Sequence, residues 1–139
     1  MRDALKDFFP ETEMVFDKKV ECGCSARRPD VLIDQGFPIV IECDENRHGG
    51  YSCENKRTMQ LFQDLGNRPV RFVRFNPDSY QESGVRYNSC FKSTANGLTI
   101  DKKEWNNRIK ILKEVVEKLL LEVPEKEVSI MHLFFGDSV

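Results

Sequence analysis

Asp30, Glu42 and Asp44 sit at the ends of two short apolar runs within RRPDVLIDQGFPIVIECDENRH, residues 27 to 48. Taking one carboxylate out of water costs free energy, and crowding several together costs more. Such groups either face solvent or await a positive partner. VLID (31–34) and PIVIECD (38–44) flank QGF, a pattern that predicts a β-hairpin with Gly36 in the turn. Period-two alternation in the second strand puts Val40, Glu42 and Asp44 on one face and Ile39, Ile41 and Cys43 on the other. The hairpin would bring Asp30 near that face, so three carboxylates could share one site. Hard oxygen ligands of this kind suit Mg²⁺ or Mn²⁺, which keep waters and bind phosphate oxygens beside one or two carboxylates. The chemistry that follows is metal-assisted phosphodiester hydrolysis.

Other side chains stand where they could assist. His48, four residues after Asp44, titrates near neutrality and could take a proton or contact a phosphate. Lys56 and Arg57 could steady the phosphate, and Arg27, Arg28 and Arg47 could engage flanking phosphates. Each has a plainer alternative: a turn residue after proline for Asp30, an edge strand's solvated face for Glu42 and Asp44, a surface loop for His48, and solvated helix charges for Lys56 and Arg57. Cys22, Cys24, Cys53 and Cys90 could hold a structural Zn²⁺, although C-x-C is not the usual knuckle spacing. Reduced thiols are the leading expectation, because five cysteines are an odd number and the N-terminus lacks a signal-peptide apolar region.

The elements that must position these groups are legible in outline. DALKDFF predicts a short helix before Pro10, and MVFDKKV (14–20) a strand. CENKRTMQLFQDLG predicts a helix capped by Ser52, with Met59, Phe62 and Leu65 near one face and Gly66 after its end. PVRFVRFNP (69–77) predicts a strand with basic residues on both faces. Residues 78–100, rich in Ser, Asn and Gly, read as a long irregular insertion. The helix over 101–122 carries an Asp101 cap with Glu104 at the third position, and a core stripe of Trp105, Ile109, Leu112, Val116 and Leu119. VSIMHLFF (128–135) closes the chain as a strand, with His132 as a core or barely exposed residue. The order is α-β-β-β-α-β, an insertion, then α-β: a layered α/β (α+β) fold in a single domain over 1–139.

Of the 139 residues, 40% are apolar and 32% charged, with a net charge of −2. That balance excludes disorder and coiled coil, and without an excess of Lys and Arg it excludes broad nonspecific adhesion to nucleic acid. No apolar run reaches the length of a membrane span, so an intracellular protein is expected.

Pro29-Asp30, a strand ending Glu42-Cys43-Asp44, then His48, a helix carrying Arg57 and the run Pro69 to Pro77 resemble the PD-(D/E)xK restriction-endonuclease-like superfamily. The likeness is nearest to its very-short-patch-repair-type and related small endonuclease-like proteins. IECDENRH, CENKR and QDLGNRPVRFVRFNPDSY also look like proteins of this type carried by large DNA viruses of protists. The resemblance covers residues 14 to 80 strongly and the last helix and strand weakly. It implies a restriction-endonuclease-like core with a central mixed sheet, a Mg²⁺- or Mn²⁺-dependent endonuclease acting on nucleic acid, most readily DNA, and a homodimer as one arrangement for cutting duplexes. The chain departs from the pattern at the superfamily's lysine, two residues after Glu42, which is Asp44. Lys56 or Arg57 could supply that charge from the next helix. The alternative is an inactive nucleic-acid-binding or protein-interaction module on the same fold.

Overall fold

The computed structural model describes residues 1–44 and 51–138. A mixed five-stranded sheet has the order β1-β2-β3-β4-β9, built from Val15–Phe16, Val31–Ile33, Ile39–Cys43, Val70–Phe75 and Val128–Leu133. β1, β2 and β3 form an antiparallel meander, and β4 and β9 add to β3 in parallel. The 31–44 hairpin forms as expected, with Leu32 opposite Val40 and Gly36 at a φ of 101° that only glycine adopts at little cost. The strand expected over 14–20 is only the two residues of β1, because the chain bends away at Asp17, whose φ is 47°.

Helices cover both faces of the sheet. α1 (Arg2–Phe8) and α3 (Lys102–Leu121) pack on Val31, Ile33, Ile39, Ile41, Val73 and Phe75, through Leu5, Ile109, Leu112 and Val116. α2 (Tyr51–Asp64) packs on the other face, where Leu61 and Phe62, with Leu65 just past the helix, meet Val40, Val70 and Phe72. α3 follows the expected stripe, and its Asp101 cap accepts the Glu104 amide at 3.3 Å. α2 corrects two expectations. Ser52 lies inside the helix instead of capping it, and Met59 is 46% exposed while Thr58, Leu61, Phe62 and Leu65 turn inward. A stripe at i, i+3, i+4 and i+7 is the face the sheet selects. Gly66 does end the helix region, at a φ of 80°.

Residues 78–100 are not irregular. They fold into two hairpins, β5–β6 (Tyr80–Glu82, Val85–Tyr87) and β7–β8 (Phe91–Thr94, Gly97–Ile100). Ser83 and Gly84, both at positive φ, make the two-residue turn that matches strand twist. Arg108, 1% exposed, holds this segment to the core: its guanidinium donates to the carbonyls of Asn76, Asp78 and Asn88 and to Glu104 Oε1. No helix among the described residues is long and apolar enough to cross a membrane.

Candidate functional site at the carboxyl end of the central strands

β3 is the middle strand of the sheet, so neither of its faces is a solvated edge, and the plain reading of Glu42 as an exposed carboxylate fails. Glu42 lies on the α2 face and is 7% exposed. Its positive partner is Arg57, one of the two helix cations expected there. Arg57 Nε and Nη2 both donate to Glu42 Oε1, at 3.1 and 2.8 Å, and Nη2 also reaches the Arg28 carbonyl at 3.1 Å. Lys56, the other expected cation, is exposed on α2.

Asp30 precedes β2 directly opposite the end of β3, and its Oδ2 accepts the Cys43 amide at 2.8 Å. Burial pushes the Glu42 carboxyl above its ordinary range. Arg57 opposes that shift, and the Asp30 carboxylate adds to it. Burial is thus the larger influence on Glu42, with the Arg57 guanidinium and the Asp30 carboxylate acting on it in opposite directions.

Asp44 is held differently. Arg74 of β4 grips it in a fork, Nε to Oδ2 at 2.6 Å and Nη2 to Oδ1 at 2.8 Å, and Nη2 also lies 3.5 Å from Glu54 of α2. Burial works against the Arg74 charge, but Asp44, with Glu54 and Glu42 beyond it, holds the Arg74 pKa above its ordinary value. His132 lies beside Arg74 in the parallel register, and burial, then Arg74, lower its pKa, which favours neutral imidazole. Arg74, Glu54 and His132 were not singled out for this site from sequence. The strand alternation that places Glu42 on the α2 face also places Arg74 there, and that is the signal that finds it.

The site sits where the topology favours one. The chain leaves β3 for α2 on one face and leaves β4 toward α3 on the other, so the connections from the carboxyl ends of β3 and β4 part to opposite faces there. Around it, among the described residues, Arg57 pairs with Glu42 and Arg74 with Asp44 and Glu54, and Asp30 accepts the Cys43 amide.

The remaining expected residues divide. Arg27 donates to Gln60 at 2.8 Å and Arg28 to the Asp17 carbonyl at 3.2 Å, so both line the approach to the site but are tied to protein groups. Arg47, His48 and the side chain of Cys53 lie outside the described residues. Cys22 and Cys24 lie on an exposed loop pinned to the end of α2, where Asp64 accepts the Cys24 and Ser25 amides, whereas Cys90 is buried beside α3. The structure does not bring these three thiols together. Among the described residues, no group of three or more His, Cys, Asp or Glu side chains is gathered to hold a metal. The donor set suits a magnesium-type ion all the same, since such an ion takes one or two carboxylates plus water and phosphate instead of a closed protein cage, and Asp30 with Glu42 is such a pair. No family model, curated protein or solved structure matches the chain.

Proposed function

We propose that the protein is a metal-dependent nuclease, hydrolysing phosphodiester bonds of nucleic acid, most readily DNA, on a restriction-endonuclease-like core inside the cell. The observation that carries the proposal is the buried Glu42 carboxylate, set against Asp30 at the end of the central strand and only partly compensated by Arg57. Such a pair is costly unless a further cation shares it. The antiparallel meander followed by parallel β4, with α2 crossing between, supports the same core.

In this scheme Asp30 and Glu42 hold Mg²⁺ or Mn²⁺. Bound there, the ion supplies an activated water and neutralises charge developing on the phosphate. Arg57 orients Glu42 and takes over the charge that the missing lysine carries in the resembling proteins, reaching in from α2. Asp44, gripped by Arg74, positions the end of β3 in this scheme, and Asp30 and Glu42 are the ligands it relies on. His48 remains the proposed proton acceptor.

A second reading is favoured by one observation: Glu42 and Asp44 already have arginine partners, as they would in an inactive binding module. Cleavage of a panel of supercoiled plasmid, linear duplex, single strands, a mismatch and a branched junction, with Mg²⁺, Mn²⁺ or EDTA, separates the two. Metal-dependent cutting lost in Glu42→Ala supports the nuclease. Binding without cutting on every substrate selects the module.

A further inference from the structure

A cleft of about 600 Å³ opens on the opposite side of Asp30 from Arg57. It is lined by Trp105 of α3, the facing pair Phe91 and Ile100 of the β7–β8 hairpin, Asp30 and Cys43 at the sheet, and Arg2 with Asp17. We propose that this cleft receives an unpaired base of the nucleic-acid substrate while the adjoining phosphate lies at Asp30 and Glu42. The proposal rests on the nuclease reading of that corner and adds its substrate class: single-stranded or locally unpaired nucleic acid.

Three features carry it. The volume falls in the range of small-ligand pockets, and two aromatic side chains with an aliphatic one offer stacking and apolar contact that any base can use. Ile100 is 51% exposed although its hairpin partner is Phe91, so this wall shows apolar surface to solvent directly beside a carboxylate site. The wall is also fixed in advance. The Cys90 amide donates to the Pro77 carbonyl at 2.8 Å, and the Asp101 amide to the Cys90 carbonyl at 2.7 Å, which clamps the root of the hairpin to β4 and α3. A base stacked within a duplex cannot enter such a cleft unless it is unpaired or flipped out.

Trp105 is the chain's one tryptophan, so intrinsic fluorescence reads the cleft directly. The experiment titrates the full chain with a short oligothymidylate and with a blunt duplex of equal length, in Ca²⁺, while anisotropy of labelled strands follows binding and a gel follows cutting. Expected are quenching of Trp105 by the single strand, affinity for it about tenfold above that for the duplex, and a loss of about tenfold in Ile100→Asp and Phe91→Leu but not in Phe91→Tyr. Single-strand binding without quenching, equal binding by all three variants, or no single-strand binding would overturn the cleft. Plasmid cutting in Mg²⁺ is scored separately, so the nuclease reading can survive that failure, and base binding without cutting would count against the nuclease alone.

Discussion

Arg57 and Arg108 both reach out of helices into the body of the protein, and they are used in opposite ways. Arg108 donates to three backbone carbonyls and to Glu104, and lies over the rings of Tyr80 and Phe134, 5.2 Å from each. Those partners fix the hairpins and leave no unbalanced charge. Arg71 too donates to carbonyls, those of Phe37 in the β2–β3 turn and of Leu119 and Glu122 at the end of α3, while its buried Nε has no hydrogen-bond partner among the described residues. Arg57 and Arg74 instead meet carboxylates: Glu42 for Arg57, Asp44 and Glu54 for Arg74. An arginine bonded to carbonyls is part of the scaffold; under the proposed function, the carboxylates around Arg57 and Arg74 are where a metal ion would join them.

The largest expected effect is on the second kind of site. Glu42→Gln should lower metal-dependent cleavage by about a thousandfold, since metal stabilisation of the transition state is worth several kcal/mol. Urea unfolding should show the variant still folded. Arg108→Ala should do the reverse, losing about 3–5 kcal/mol in urea unfolding, because it leaves the carbonyls of Asn76, Asp78 and Asn88 without that donor and empties a buried position. If Arg108→Ala left stability unchanged, the distinction between the two kinds of arginine would fail. Arg74→Lys keeps the charge but loses the fork on Asp44, and should cost about 1–2 kcal/mol of stability with a roughly tenfold drop in cleavage.

What the sequence allowed follows from what each element buries. α3 was legible because one face of it is core, so the apolar period shows, and the hairpin because Gly36 separates two short, buried apolar runs. β5 to β8 were not, since most of their residues are exposed and carry no alternation; the Ser83-Gly84 turn was the signal available. Along α2, Met59 and Leu61 are equally apolar letters, and only the angle at which the helix meets Val40 and Phe72 decides which is buried. At the site, the need for a positive partner was legible from Glu42 itself. Which of many arginines supplies it depends on the crossover that carries Arg57 back over β3, and on the register that sets Arg74 beside Glu42.

The smallest effects sharpen the comparison through pH. The Glu42 pKa is raised in the folded chain, so the folded state holds that proton more tightly. Its contribution is present below the ordinary value of 4.5 and is lost as pH rises through the raised one. Asp34 is the mirror case: hydrogen bonds from Arg68 lower its pKa, so its contribution is present above the ordinary value of 3.8 and is lost as pH falls through the depressed one. Wild type measured against Glu42→Gln should therefore lose stability as pH climbs above 4.5, and wild type against Asp34→Asn as pH drops below 3.8. The Asp34–Arg68 pair is partly exposed, so its share should be at most about 1 kcal/mol and should shrink with salt. Urea midpoints across a pH series measure both.

The central claim is that the Asp30–Glu42 corner takes a divalent cation, and Mn²⁺ titration followed by electron paramagnetic resonance tests it most directly. A saturable site is expected in the wild-type chain, lost in Asp30→Asn and Glu42→Gln and kept in Arg108→Lys. Equal Mn²⁺ binding in all of these chains, or none in the wild type, would contradict it.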